Sequence, residues 1–492
     1  MTDVLPTGQE DWQRLDRRML LVHPIKEVGR FFPALIGVFI AGSQTGGDGP
    51  WFEIVGVALP IAYGVLRFYT TRYRIADGRI ELRRGLLTKH VLSTQLDRVR
   101  TVDLTSSPIH RILGLTTVRI GTGTASTKGE DQLDLDSLPT AGAQQLRYQL
   151  LHAAGTSGER ADASAPLVAR TVVRFDPSWL RFAPLTSAGL VSFAAIAGVT
   201  SQILNGVGFF DQGHDIPGLK AALWLTVTVG IVLGLASVSA LAIVGYLLTN
   251  WDFSLTHTST DGSWHLRRGL LTTRETSMDD GRVRGVAVGE PLGLRLGRGA
   301  RLSAIVTGLD KKQQGTTLLV PPAPRQVVDR VAAEVIGTTT PLEAVLTSHG
   351  PAAIRRRWIR ALALPLLLLV GIGALIVFDD ASAWWLLLPL LGVAVGAGLA
   401  VDRARSLGHA LVDGWLVVRS GSLVRRRELL QTDGVIGWNL RSTYFQRRVG
   451  LTTLVATTAG GSQSYAALDV PEARAIEVAR LAQPQLIEQF LG

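Results

Sequence analysis

The chain has 492 residues, a formal net charge of +10, no cysteine and a mean hydropathy of +0.25. The length suggests about three domains of roughly 150 residues each, and the missing cysteines exclude disulfides, thiolate nucleophiles and Cys-ligated metals. A basic balance fits nucleic acid, an anionic membrane surface or the loop asymmetry of a membrane protein, and the clumping of the apolar residues favours the last.

Residues 1–30 mix acidic and basic side chains and hold no short apolar core with a small-residue cleavage site. They read as a cytoplasmic N-terminal segment without a removable signal. Crossing about 30 Å of hydrocarbon takes about 20 mostly apolar helical residues. Segments 51–68, 183–210, 219–248, 359–378 and 383–401 meet that length, and 28–44, which holds Arg30 and Pro33, is added by pairing. Short connections make these six spans three antiparallel hairpins, at 31–69, 183–249 and 359–402. Their tips carry Asp48, Asp211, Asp215, Asp379 and Asp380, with Lys220 the lone cation, whereas the other flanks carry Arg67, Arg72, Arg74, Arg170, Arg174, Arg181, Arg355, Arg356, Arg357, Arg360, Arg403 and Arg405. The positive-inside rule puts the tips outside a bacterial plasma membrane, and both termini and everything between the hairpins in the cytoplasm.

A related stretch follows each hairpin, predicting cytoplasmic domains at 70–154, 250–337 and 403–492, with linkers at 155–182 and 338–358. Asp77-Gly78, Asp261-Gly262 and Asp413-Gly414 are each followed by a second glycine, Gly85, Gly269 or Gly421, seven residues beyond the first. Asp-Gly between alternating apolar and polar residues signals a two-residue hairpin, because a type I′ turn needs positive φ at both central positions. A third strand after the later glycine makes a β-meander. Downstream, Gln95–Val102 parallels Asp279–Val286 and Gln431–Trp438, and the Leu-Gly114-Leu-Thr-Thr run returns at Gly450. Gly85 to Gly114 and Gly421 to Gly450 are each 29 residues apart, while Gly269 to Gly297 is one fewer. Each unit closes on a stretch of helical period, at 141–154, 324–336 and 471–491. Pro24, Pro177 and Pro351 precede the hairpins, so the repeating unit starts ahead of its membrane span.

This order of parts, with the Arg-Tyr-Arg-Ile-Ala-Asp-Gly and Arg-Arg-Gly-Leu-Leu runs, resembles the bacterial pleckstrin-homology (PH) domain membrane proteins of the YdbS/YdbT-like family, in the long form with three PH-like domains. The resemblance implies an α+β membrane protein with six transmembrane helices in three hairpins. Each hairpin is then followed by a PH-like β-meander or open barrel closed by a C-terminal helix. It implies neither an enzymatic activity nor phosphoinositide binding.

No phosphate-cradling loop, His-Glu-x-x-His pair or calcium loop is present. His90 and His110, the nearest approach to a metal pair, read as structural or surface residues. Gly121-Thr-Gly123 reads as a loop, and Asp134 and Asp136 as strand or turn residues. The spans hold almost no charge (Glu53, Gln202 and Asn205 lie near helix ends), which disfavours an ion-coupled transporter. Catalytic, cofactor and metal residues are therefore none. Candidate lipid- or partner-facing residues are Arg83, Arg84, Lys89, Arg98 and Arg100, echoed by Arg267, Arg268, Arg274, Arg282 and Arg284, with Arg419, Arg425, Arg426 and Arg427 in the third copy. They read either as an ordinary solvated strand face, the weightier reading, or as a basic face on the anionic inner leaflet, worth about 1 kcal/mol per residue. The expectation is a non-enzymatic scaffold or binding module for proteins or inner-leaflet lipids, in envelope stress tolerance. Its partners are membrane lipids and a protein partner or second copy, with no nucleic acid. The alternative is a transport or lipid-handling subunit using the six-helix bundle.

Overall fold

The computed structural model describes residues 12–20, 22, 65–121, 133–155, 169–186, 198, 202, 217–307, 318–379 and 382–487, apart from gaps at 67–68, 77, 85–89, 97–98, 100 and 260–261. The expected spans at 28–44 and most of 51–68 and 183–210 lie outside them. Residues 183–186 form bends and turns after a 3-10 helix, so no span begins at Ala183.

Residues up to Arg174 and Leu248–Arg282 form one unit. Its strands are β1 (Gln13–Arg14), β2 (Arg72–Ala76), β3 (Arg79–Arg84), β4 (His90–Gln95), β5 (Thr101–Ser106), β6 (Leu115–Gly121), β7 (Leu133–Pro139), β8 (Ala169–Arg174), β9 (Ser254–Thr258), β10 (Ser263–Arg268) and β11 (Thr273–Asp279). Helices α1 (Pro108–Leu113) and α2 (Thr140–Gly155) complete it. The period-2 pattern of β7 shows why it is a strand. Leu133 and Leu135 are buried, while Asp134 and Asp136 point out to Arg119 (2.9 Å) and Thr117 (2.5 Å). Ile80 and Leu82 of β3 pack with Val102, Leu104, Val118 and Ile120 and with Leu146 and Leu150 of α2, so the first copy's two meanders share a core.

Phe175–Leu247, Val283–Thr307 and 311–492 form the other unit. It holds β12 (Val283–Pro291), β13 (Gly299–Val306), β14 (Leu318–Pro324), β15 (Gly408–Val412), β16 (Trp415–Ser420), β17 (Val424–Gln431), β18 (Val435–Arg441), β19 (Leu451–Thr458) and β20 (Ser464–Pro471). Its helices include most of α3 (Pro217–Asn250), then α4 (Leu292–Leu296), α5 (Arg325–Ile336), α6 (Gly350–Asp379), α7 (Leu387–Ser406), α8 (Tyr444–Arg447) and α9 (Glu472–Ala482). Leu416, Val418 and Leu430 of the third copy's first meander share a core with Leu454, Ala467 and Val478 of its second half.

Among the described residues, three helical segments, Thr228–Asn250, Gly350–Asp379 and Ala383–Ser406, are long and apolar enough to cross a membrane. α6 and α7 pack closely because Gly396 lacks a Cβ, which would meet the Ala361 carbonyl oxygen at 2.8 Å. α6 starts at Gly350, inside the expected linker. Its first turns are tied to the third copy: Ala353 is buried with Leu407 and Leu451, and Arg356 and Arg357 reach Asp469 at 3.0 and 2.7 Å.

The meanders expected after each hairpin do not end at the expected domain boundaries, because two sheets run across them. β5 pairs antiparallel with β11, Thr101 opposite Met278, giving the order β7-β6-β5-β11-β10-β9-β8. β12 pairs likewise with β17, Gly285 opposite Leu430, giving β14-β13-β12-β17-β16-β15. Each joint thus welds the second meander of one copy to the first meander of the next. The segment ahead of each expected hairpin is also paired to the first strand after it, through Gln13↔Tyr73, Val173↔Leu255 and Thr347↔His409.

Backbone hydrogen bonds align the copies. Leu96, Asp280 and Thr432 donate to Gly78, Gly262 and Gly414, and Thr140, Arg325 and Glu472 donate to the carbonyls of Gly114, Arg298 and Gly450. The counterpart of Gly114 and Gly450 is therefore Arg298, not Gly297, and Gly269 to Arg298 restores the 29-residue spacing. The third copy keeps the two-residue turn, Asp413 at φ 50° and Gly414 at φ 75°. The middle copy does not, because Thr258 lies opposite Ser263 and leaves a four-residue loop.

Candidate functional site

A cavity of about 600 Å³ lies beside the β12·β17 joint, lined by Arg181, Glu290, Arg295, Arg298, Arg325 and Arg425 among others. Arg181 comes from the 3-10 helix Pro177–Phe182, which Asp176 caps by accepting from the Ser178 N–H at 2.8 Å while Trp179 and Phe182 are buried. That helix and the turn after it dock on glycines: a Cβ on Gly293 would lie 2.3 Å from the Leu185 carbonyl oxygen, and one on Gly299 would lie 2.5 Å from the Phe182 ring. Arg295 sits on α4, Arg298 in the turn after it, Arg325 at the first turn of α5 and Arg425 on β17 opposite Glu290.

Some of this charge is compensated from behind. Asp402 of α7 receives two hydrogen bonds from Arg295 (2.8 and 3.0 Å) and one from Arg425 (2.8 Å), and Arg325 pairs with Asp329 at 2.8 Å and with Glu290. Arg181 and Arg298 have no ion-pair partner among the described residues; Arg181 lies over the Phe182 ring, 4.9 Å from its centroid. Burial, then the neighbouring Arg295, pushes the Arg425 guanidinium below its ordinary value, and burial followed by Arg425 does the same to Arg419. Cations crowded in this way favour a bound anion.

Arg298 adds a conformational signal. Its φ of 57° lies in the left-handed region, where the other two copies place glycine at 67° and 64°. A side chain there costs about 1 kcal/mol, and such strain concentrates at functional sites.

The first joint has the corresponding cavity, about 320 Å³, lined by Ser106, Arg111, Leu115, Thr116, Thr140, Thr273 and Glu275 among others. Equivalence follows from the pairing: Ser106 faces Thr273 as Glu290 faces Arg425. Arg111 donates to the Leu270 carbonyl at 2.8 Å, just as Arg295 donates to that of Ser422 at 3.3 Å. Each arginine clamps the turn of the following copy. Those turns abut helix ends: Leu270 N–H donates to the Leu248 carbonyl of α3, and Ser406 Oγ of α7 donates to the Gly421 carbonyl.

The arginines expected to form a basic face are dispersed. Arg83 stacks on Trp12, 3.8 Å from the ring centroid, and Arg267 is shared between Asp252 and Glu275, each at 3.7 Å. Arg268 is half-buried, and burial lowers its pKa. Arg274 is exposed on β11 and Arg284 half-buried on β12. Arg282 is buried and donates to the Val99 carbonyl, which corrects its place to the interior. Lys89, Arg98, Arg100, Asp77, Gly85, Asp261 and the Arg84 side chain lie outside the described residues. His110 is buried between Ser107 (2.5 Å) and Ser137 (3.4 Å). Of the cavity arginines, Arg181 and Arg425 stand out in the sequence as a flank and a strand cation. Arg295, Arg298 and Arg325 do not, although keeping the 29-residue spacing marks Arg298 as an arginine in a glycine's place.

No curated protein and no solved structure matches the chain. The family model described as Bacterial PH domain matches residues 28–154 and 362–483, half of the sequence and the regions of the first and third copies. With that match over half of its length, beside paired meanders and closing helices, the chain belongs to the bacterial PH domain family.

Proposed function

We propose that this protein is a non-enzymatic, multi-pass membrane scaffold whose three PH-like modules lie under the inner leaflet, and that the arginine cavity of the second joint holds the phosphate of an anionic lipid headgroup. The observation that carries this reading is the five-arginine lining, in which Arg181 and Arg298 lack ion-pair partners among the described residues, placed within about one turn of the C-terminal end of α7. If α7 crosses the bilayer with its arginine-flanked end inside, that depth is where headgroup phosphates lie. Arginine forks match phosphate oxygens, and charge-assisted bonds of this kind are the strong ones. The strained Arg298 supports a ligand role, because a purely structural turn is satisfied by the glycine of the other copies.

Native mass spectrometry of the detergent-purified full chain tests this. Adducts with phosphatidylglycerol are expected to outlast those with phosphatidylcholine, and to weaken about tenfold in Arg298→Gly, equivalent to about 1.4 kcal/mol. A parallel titration with glycerol phosphate separates headgroup recognition from recognition of the whole lipid. Equal retention of both lipids, or an unchanged Arg298→Gly, overturns the reading.

A further inference from the structure

The two joints inside the chain are made by the same kinds of strand. β5 and β12 each open the second meander of a copy, and each takes the last strand of the next copy's first meander, β11 or β17. The third copy's β18 holds the position of β5 and β12, and among the described residues no strand pairs with its outer side. It is the edge of the sheet β18-β19-β20. At the other end, β4 holds the position of β11 and β17 and is the edge of β1-β2-β3-β4. Among the described residues nothing pairs with the outer side of either strand.

We propose that the β18 edge of one molecule pairs antiparallel with the β4 edge of a second copy of this chain, making a third joint between molecules. Edge strands present unpaired N–H and C=O groups that template such addition. Continuity with the two internal joints names the occupant and also sets the register. Thr101↔Met278 and Gly285↔Leu430 transfer to Gly437 opposite Thr94, which brings Leu440 opposite Val91. Both are apolar residues exposed on strands, at 39% and 54%, and a cross-strand pair would cover them. A second feature agrees. Arg111 and Arg295 each clamp a carbonyl of the neighbouring copy, whereas their counterpart Arg447 is exposed and has no side-chain partner among the described residues. Because the two edges differ, the contact is heterologous and propagates head to tail, as a ring or an open row. This inference does not depend on the anion cavity.

The cysteine-free chain allows a direct test. Two differently tagged full-length chains, one with Val91→Cys and the other with Leu440→Cys, are co-expressed and oxidised in native membranes. Directly opposed Cα atoms on antiparallel strands lie about 4.5–5.5 Å apart, within the Cα separation a disulfide spans. A mixed-tag disulfide is expected, at least about tenfold above the displaced pair Val91→Cys with Tyr444→Cys. Leu440→Lys, at a position exposed in the single chain and so compatible with folding, is expected to reduce the purified protein to a monomer by native mass. Cross-links among Leu440→Cys chains alone, a disulfide forming only within a doubly substituted chain, or no mixed-tag product overturns the proposal.

Discussion

At the first joint the cavity positions carry Ser106, Thr140 and Thr273; at the second they carry Glu290, Arg325 and Arg425. The backbone arrangement is the same, and so is the arginine clamp on the next copy's turn. In the first, hydroxyls satisfy one another, Ser106 to Thr116 at 2.9 Å and Thr116 to Thr140 at 3.2 Å, while Arg147 meets Glu275 at 3.1 Å. In the second, cations outnumber the carboxylates that face them and one of them occupies a strained turn. A joint can therefore be held together without the arginine excess, so the excess calls for another explanation, and anion binding supplies one.

The sharpest way to break this comparison is to rewrite the second joint as the first. Arg298→Gly, Arg325→Thr and Arg425→Thr together are expected to weaken phosphatidylglycerol retention about a thousandfold, or about 4 kcal/mol, measured by native mass spectrometry. The far-ultraviolet circular dichroism should be unchanged.

A second difference lies in the joint sheets themselves. His409 stands where the first joint's sheet has the buried Leu255, and its Nδ1 meets His349 Nε2 at 2.8 Å. Burial, and then His349, lowers the His409 pKa to about 4. The unfolded chain binds that proton near pH 6.5 and the folded chain does not, so this contribution is intact above pH 6.5 and is lost as pH falls towards 4. The loss is at most about 3 kcal/mol. Hydrogen exchange of β15 and β16 should report it, and β9 and β10 should show no matching loss. His409→Leu should flatten the profile.

Smaller effects separate the clamps. Arg295→Ala is expected to cost about 2 kcal/mol in chemical denaturation, since it also strands part of Asp402, against about 1 kcal/mol for the more exposed Arg111→Ala. Arg298→Gly alone should gain up to about 1 kcal/mol in the same assay while losing lipid, the usual opposition between a strained site and stability.

Much of the fold was legible. The Asp413-Gly414 turn, the alternation in β7, the matched first and third copies and the apolar α3, α6 and α7 follow from local periodicity, which needs no partner to be read. Less of the site was. Arg298 is hidden by the adjacent Gly297, which draws the alignment one residue short, and only the Arg325 N–H bond to the Arg298 carbonyl restores it. Arg181 and Arg425 are about 240 residues apart in the chain, so nothing local marks them as neighbours. Arg282, read from its repeat position as a surface cation, is buried because β5 and β11 meet where the Val99 carbonyl can accept its hydrogen bond.

The amino-acid sequence by itself determined the repeating unit, its turns and its apolar helices, because chirality, side-chain period and glycine φ act within a few residues. Which copy's strand completes which sheet was decided only in the tertiary structure. β4, β11 and β17 carry related patterns and any of them could in principle meet β5, so the choice falls to packing and connection, and it is that choice that gathers the arginines around one cavity.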